Sequence, residues 1–267
     1  MLKKLMLRQL GASAGPEKSF SELSTAKWPS ESLLDVRRFL LTKEDQANWS
    51  FERLAPFITE MMNGETMTFY RKAFGYLYGS GIKGNYHEYG CYSARTFRMA
   101  LSEAYKWQMS TMRLYAFDSF QGLPDPGTGP ELTSWTKGAM AMSVEEFKAL
   151  VGELGFGLER TVITEGFFNE TLTTTLQQKL LDENHSIAFC NIDCDLRESA
   201  EDVFQFIAPL VKEGTLLYLD DYFAGYGGRI AKGVAGAYWQ FLEKFGWKSE
   251  EFASVGFWGK AFVLYRS

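Results

Sequence analysis

Two histidines and three cysteines are all the imidazole and thiol side chains that 267 residues contain. His87 and His185 stand apart, and Cys91, Cys190 and Cys194 show no CxxC spacing. A zinc site built from His and Cys therefore has no ligand set. An odd cysteine count also argues against a disulfide frame and for reduced, buried thiols in a cytoplasmic protein. Positive charge is not in excess: 28 Lys and Arg face 33 Asp and Glu, for a net charge of -5. That excludes a general nucleic-acid binder. No apolar run approaches the length of a membrane span. The opening MLKKLMLRQLGASAG is interrupted by Arg8 and Gln9, so no signal peptide is expected. A G-x-G-x-x-G fingerprint is missing, which disfavours a nicotinamide oxidoreductase, and no internal repeat is present.

What is abundant is apolar and aromatic residues, 46% and 16% of the chain. They suffice for a sizeable core in one domain with an extension. The most informative stretch runs from Ile187 to Phe223. Ile187 to Ile192 is a short apolar run ending in Asp193 and Asp195. Glu198 to Val211 has helical spacing, with Val203, Phe206, Ile207 and Leu210 on one face, and Gly214 ends it. Thr215 to Leu219 is a second apolar run, ending in Asp220 and Asp221. Two continuous apolar strands joined by a helix imply a parallel pair buried on both faces. Ligands bind at the carboxyl ends of such strands.

The remaining chain fits around this unit. Residues 1 to about 30 are broken by Gly and Pro and read as poorly structured. From Glu31 to Leu77 the spacing predicts helices over 33–40, 51–61 and 68–77, the last capped by Thr66 or Thr68. Residues 1–80 thus read as a tail and helical cap, and 81–267 as the main domain. Strands are expected at 85–89, 112–117 and 160–164, with helices at 94–106, 143–154 and 172–181 between and after them. Ser143 and Glu146 have capping-box spacing. Gln121 to Ala141 carries four glycines and three prolines, the composition of a lid loop. A helix at 233–245 and a hairpin around Gly256 and Gly259 close the chain. The expected fold is α/β and Rossmann-like: a seven-stranded, mostly parallel sheet with a C-terminal antiparallel hairpin and an N-terminal helical cap.

Three places carry chemistry. At the turn His87-Glu88-Tyr89-Gly90-Cys91-Tyr92, a glycine lets backbone approach a ligand, and Glu88 can accept from an ammonium or hydroxyl. The bland reading is a tight turn with a solvated Glu. Asp118 ends the second strand at the distance from the turn where an acid holds ribose hydroxyls, or else it caps a turn. The acids Asp193, Asp195, Asp220 and Asp221 meet at neighbouring strand ends about 4.8 Å apart. Their all-oxygen chemistry suits Mg²⁺ or Ca²⁺, and helix and loop capping is the alternative. His87 reads as a packed strand residue and His185 as exposed.

Taken in order, TMTFYRKAFGYLY, GNYHEYGCY, YAFDSFQGLPDP, VITEGFFNETL, NIDCDLRESAEDVFQFIAPLVKEGTLLYLDDY and GGRIAKGVAGAYWQFL resemble the macrocin O-methyltransferase family. The resemblance covers roughly Thr66 to Phe245. It implies a class I methyltransferase sheet and an O-methyltransferase that uses S-adenosylmethionine and Mg²⁺ on a sugar or phenol-like hydroxyl of a small natural product. It also implies residue roles. Asp193, Asp220 and Asp221 match the metal ligands, and Asp195 matches the general base, with Asp193 beside it in catalysis and cofactor contact. Glu88, Gly90, Tyr92 and Ser93 match the turn around the methionine part of the cofactor. Asp118 and Ser119 match the ribose contacts, and Gly166 and Phe167 the adenine end. Gln121 to Met142 matches a lid, with Trp135 a candidate contact. The chain departs from the family's Arg-Gly-Gly-Ser-like run, having Ser93-Ala94-Arg95-Thr96. A small-molecule acceptor, no nucleic acid, no membrane and a homo-oligomer are expected. The rival readings are a metal-independent N- or carboxyl-methyltransferase and a non-catalytic S-adenosylmethionine-binding scaffold.

Overall fold

The computed structural model describes residues 51–266, save positions 129 and 131–133. The chain divides into two compact units, residues 1–56 and 57–267. The described residues belong to the second, apart from the first turns of helix α1, Phe51–Gly79. The expected helix at 33–40 and the N-terminal tail lie outside the described residues. The two expected segments 51–61 and 68–77 are one continuous helix, α1. Thr66 and Thr68 do not cap it; they sit inside it. Their hydroxyls donate to the carbonyls of Met62 at 2.9 Å and Gly64 at 2.8 Å, so the polar side chains turn back onto the helix itself.

The alternating unit comes next. Strand β1 is Asn85–Tyr89, helix α2 Arg95–Lys106, strand β2 Leu114–Asp118 and helix α3 Val144–Gly152. Strand β3 is Thr161–Glu165, followed by the short α4, Phe168–Thr171, and α5, Thr174–Asp182. Strand β4 is Ile187–Ile192, α6 Arg197–Ile207 and β5 Val211–Leu219. Helix α7, Val234–Phe245, leads into the hairpin β6, Lys248–Val255, and β7, Gly259–Tyr265. The capping box of α3 is present: Glu146 N–H donates to Ser143 Oγ at 3.2 Å, and Ser143 N–H to Glu146 Oε2 at 2.8 Å. Gly214 does not stop α6. It lies inside β5 with φ of 84°, where the β4–β5 register shifts, and α6 ends seven residues earlier, at Ile207.

The sheet order is β3-β2-β1-β4-β5-β7-β6, parallel except for β7. This is the expected seven-stranded, mostly parallel α/β sheet with a terminal antiparallel hairpin. Both faces are covered. On one, Phe69, Tyr70 and Phe74 of α1 pack on Tyr86, Phe189 and Tyr218. On the other, Phe204 of α6 and Tyr238 and Phe241 of α7 pack on Phe262 and the β4–β5 strands. Each fully buried ring contributes roughly 1.5–3 kcal/mol. The three cysteines are free and buried. Among the described residues, no helix is long and apolar enough to cross a membrane.

The strand order reverses between β1 and β4, which opens a crevice at the carboxyl ends of the strands. Register sets its floor. Phe117, Tyr89, Ile192 and Leu219 stand side by side across four strands. The residues that follow them, Asp118, Gly90, Asp193 and Asp220, therefore leave the sheet at one level.

Candidate active site

The turn after β1 is where the chain takes its least common backbone. Gly90 has φ of 90°, and a Cβ placed there would fall on the carbonyl of Asp193. Close approach to a ligand is the reason the sequence suggests for this glycine. The structure supplies another: it lets the β1 turn lie directly against the β4 turn, and Asp193 N–H donates to Tyr89 O at 2.9 Å. Ser93 and Ala94 then adopt φ of 62° and 50°, two left-handed residues in succession without glycine. Such conformations persist when the surroundings over-determine them.

Asp118 holds this turn. Its Oδ2 accepts from Cys91 N–H at 2.6 Å and its Oδ1 from Phe120 N–H at 2.7 Å. It ties the β1 turn to the start of the lid while one edge still faces the crevice. Ser119 does similar work: its hydroxyl donates to Gly122 O at 2.7 Å and accepts from Gln121 N–H at 3.0 Å. The lid then closes on itself through Leu123 and Ala139, 2.9 Å apart N to O. Trp135 anchors it, buried against Gly225 and edge-on to Tyr226 at 6.3 Å.

Facing the turn are the acids. Asp193, Asp195 and Asp220 are half-buried with an open side in the crevice, and Asp221 is buried. Burial, and then the charges of Asp220, Asp221 and Asp195, push the Asp193 carboxyl well above the usual range. Burial, followed by Asp220 and Asp118, raises Asp195 to about 7. Asp221 is raised by burial and by Asp195 and Asp220. Asp220 is raised by burial, against the Tyr218 hydroxyl that it accepts from and the Arg95 charge. Asp195 N–H donates to Asp221 Oδ2 at 3.0 Å. Asp195 does not cap α6, which has Leu196 at its start and no side-chain cap.

These two sides form one pocket of about 740 Å³, large enough for a cofactor and a small acceptor together. Gly90, Tyr92, Ser93, Asp118, Ser119, Phe167, Asp193, Asp195, Asp220 and Asp221 all line it. Gly166 does not; with φ of 131° it supports Phe167, which does. Glu88 does not line it either. It is fully buried below the floor, where its carboxylate accepts from Tyr86 OH and from Thr96 Oγ1, the latter at 2.9 Å. Burial is the main force raising its pKa to about 7.

Among the lining residues that the sequence did not point to are Met62, Trp258 and Arg95. Trp258 lies at the hairpin tip between Gly256 and Gly259, 43% exposed; a tryptophan beside turn glycines was the available signal. Arg95 was visible only as part of an irregular turn. His185 was expected to be exposed. It is buried, with Nε2 at 2.7 Å from His87 Nε2, because the loop before β4 folds under β1.

The donor chemistry of the acid side fits a hard divalent cation, since four carboxylates share a site with one nearby guanidinium. Their arrangement is not a closed cage. Among the described residues, no three acidic, histidine or cysteine side chains stand ready to hold an ion. The turn side, with its glycine, uncapped helix start and ribose-level acid, fits a nucleoside bearing an amino-acid tail.

Residues 1–235 match the family model described as macrocin-O-methyltransferase (TylF). Among solved structures, the O-methyltransferase NovP is 20% identical with a TM-score of 0.61, over 74% of this chain and 79% of that one. The calicheamicin methyltransferase CalS11 is 16% identical with a TM-score of 0.58, over 94% of this chain and 98% of that one. An apo structure of CalS11, a TDP-rhamnose 3'-O-methyltransferase, is 16% identical with a TM-score of 0.53, over 92% of this chain and 96% of that one. At these identities the likeness is one of fold. No curated protein sequence matches the chain.

Proposed function

The chain belongs to the macrocin-O-methyltransferase family, and from that premise we propose that it methylates a sugar or phenolic-diol hydroxyl of a small natural product, with S-adenosylmethionine as donor and Mg²⁺ at the acid cluster. The observation that carries the reading is the single pocket with two unlike walls. One wall is a backbone turn braced by Asp118, and the other is four carboxylates. A nucleoside sulfonium suits the first wall, and an acceptor hydroxyl suits the second.

Each residue then has a task. The turn from Gly90 to Ser93 receives the methionine part of the donor, Asp118 its ribose, and Phe167 packs at the adenine end. Asp193, Asp220 and Asp221 would hold the ion, with Tyr218 donating to Asp220 to orient it. A divalent ion bound there would lower the pKa of an acceptor hydroxyl. Asp195, which lines the pocket with Asp193, takes the proton from that hydroxyl at a carboxylate oxygen. The lid, pinned by Trp135, excludes water from the transfer. Holding donor and acceptor in line contributes about 7–11 kcal/mol in favourable cases. The described lining offers a nucleotide diphosphate eight carboxylates and one arginine, which favours an acceptor without phosphate.

The test is methyl transfer from labelled S-adenosylmethionine across glycosides, catechols and phenols, with Mg²⁺ and with excess EDTA. Transfer to hydroxyls that stops in EDTA supports the reading in full. Equal transfer in EDTA removes the ion. The rival, a metal-independent transfer to nitrogen or carboxylate, is read from the same assay: label on amines or acids, and not on hydroxyls, would establish it.

A further inference from the structure

One cation stands in a wall of acids. Among the described residues lining the pocket, eight are acidic and one is basic, Arg95. One of its terminal nitrogens, Nη1, donates to Asn63 Oδ1 of α1 at 3.1 Å, which fixes the guanidinium in place. Its Nε is buried and has no hydrogen-bond partner. Among the described residues, no ion pair joins it to a carboxylate. A buried guanidinium N–H without a partner is uncommon and calls for one.

The position of Arg95 narrows what that partner is. It is the first residue of α2, directly after the turn that leaves β1. The start of α2 carries no side-chain cap and no acid in its first turn, so its free N–H groups and dipole also face an anion. The left-handed Ser93 and Ala94 aim this helix start and Arg95 toward the pocket. An anionic group entering here meets repulsion from the surrounding carboxylates everywhere except at Arg95.

On the reading that S-adenosylmethionine is the donor, we infer that Arg95 binds the α-carboxylate of its methionine tail. The donor's ammonium and sulfonium are positive and suit the acid walls, whereas its carboxylate has one charged partner in the described lining. A guanidinium meets a carboxylate through charge-assisted, often paired, hydrogen bonds. The inference places Arg95 in the donor half of the pocket.

Calorimetric titration with S-adenosylhomocysteine and with its decarboxylated analogue tests this in the full chain. The analogue keeps the nucleoside, thioether and amine and lacks only the carboxylate. The wild type should bind S-adenosylhomocysteine about tenfold or more tightly than the analogue, the size of a lost charge-assisted bond. In Arg95→Met that preference should vanish, with analogue affinity unchanged, and Arg95→Lys should recover part of it. The unchanged analogue affinity also reports that the variant is folded; Arg95→Gln serves if Arg95→Met is not. Equal binding of the two ligands by the wild type, or a preference retained in Arg95→Met, overturns the inference alone. A wild type that binds neither ligand overturns the donor reading and this inference with it.

Discussion

Two buried polar clusters share the central strands of this protein, and they are built on opposite principles. Under the amino-end half of β1, every group has a partner. Asn85 Nδ2 donates to His185 Nδ1 at 3.1 Å, His185 Nε2 meets His87 Nε2 at 2.7 Å, and His87 Nδ1 meets Tyr89 OH at 2.9 Å. That chain is satisfied when both rings are neutral. At the carboxyl ends the balance is the reverse. Carboxylates outnumber donors, and Arg95 Nε is unpaired. Adjacent residues His87 and Glu88 point to opposite faces of one strand and belong to opposite regimes. A saturated polar cluster stabilises the fold and has nothing left to offer a ligand. An unsaturated one costs stability and leaves donors, acceptors and charge available for chemistry.

Removing function from the unsaturated cluster should give the largest effect. Asp195→Asn should lower kcat by about 10²–10⁴-fold, the usual contribution of a positioned base. Asp193→Asn should abolish turnover while leaving S-adenosylhomocysteine binding largely intact. Both variants should melt at higher temperature than the wild type, because mutual repulsion is relieved. Full turnover in either would show that these acids serve only the fold. The contact between the two strand-end turns is next. Gly90→Ala must accommodate a φ of 90° and a clash with the Asp193 carbonyl. It should cost about 3 kcal/mol in urea unfolding. A loss below 1 kcal/mol (about the level of an ordinary surface change) would mean that the turns can separate freely.

The two clusters also titrate with opposite sign. Glu88 is raised from 4.5 to about 7 in the folded state, chiefly by burial. Its contribution to stability is fully present below pH 4.5 and is lost as pH rises through 7. Glu88→Gln should remove that dependence, on the order of 3 kcal/mol across the interval. His185 is lowered from 6.5 to about 4 and His87 is lowered as well, both chiefly by burial. Their contribution is present above pH 6.5 and is lost as pH falls toward 4. Stability profiles of Glu88→Gln and wild type that run parallel from pH 4 to 8 would contradict the Glu88 assignment. The smallest effect is expected from the saturated side. His87→Leu leaves His185 unpaired and should cost about 1–3 kcal/mol with kcat unchanged. A drop in kcat equal to that of Asp195→Asn would erase the distinction between the clusters.

Much of this arrangement was legible in the chain. The apolar runs that became β4 and β5 are local signals, and so are the acids that end them, because a strand buried on both faces must be continuous and must stop where charge begins. The capping box at Ser143 and Glu146 and the lid composition are equally local. The errors fell where distant packing outweighs local preference. Thr66 and Thr68 look like caps, yet α1 runs through them because the helix buries Phe69 and Phe74 against the sheet. His185 looks exposed in a polar loop, and only the neighbouring strand supplies its partner. Glu88 looks like a ligand group at a strand end, but its side chain turns below the floor toward Tyr86 and Thr96.

By itself the sequence determined the element types, the strand ends that carry acid and the glycine between them, since these depend on periodicity and on residues a few positions apart. The tertiary structure decided which acids face a common space, why Gly90 cannot bear a side chain, and that Arg95 is the one cation in the described lining. Those properties arise from the sheet order. Placing β4 beside β1 brings residues a hundred positions apart into one cavity, where burial and mutual charge give them chemistry that none has alone.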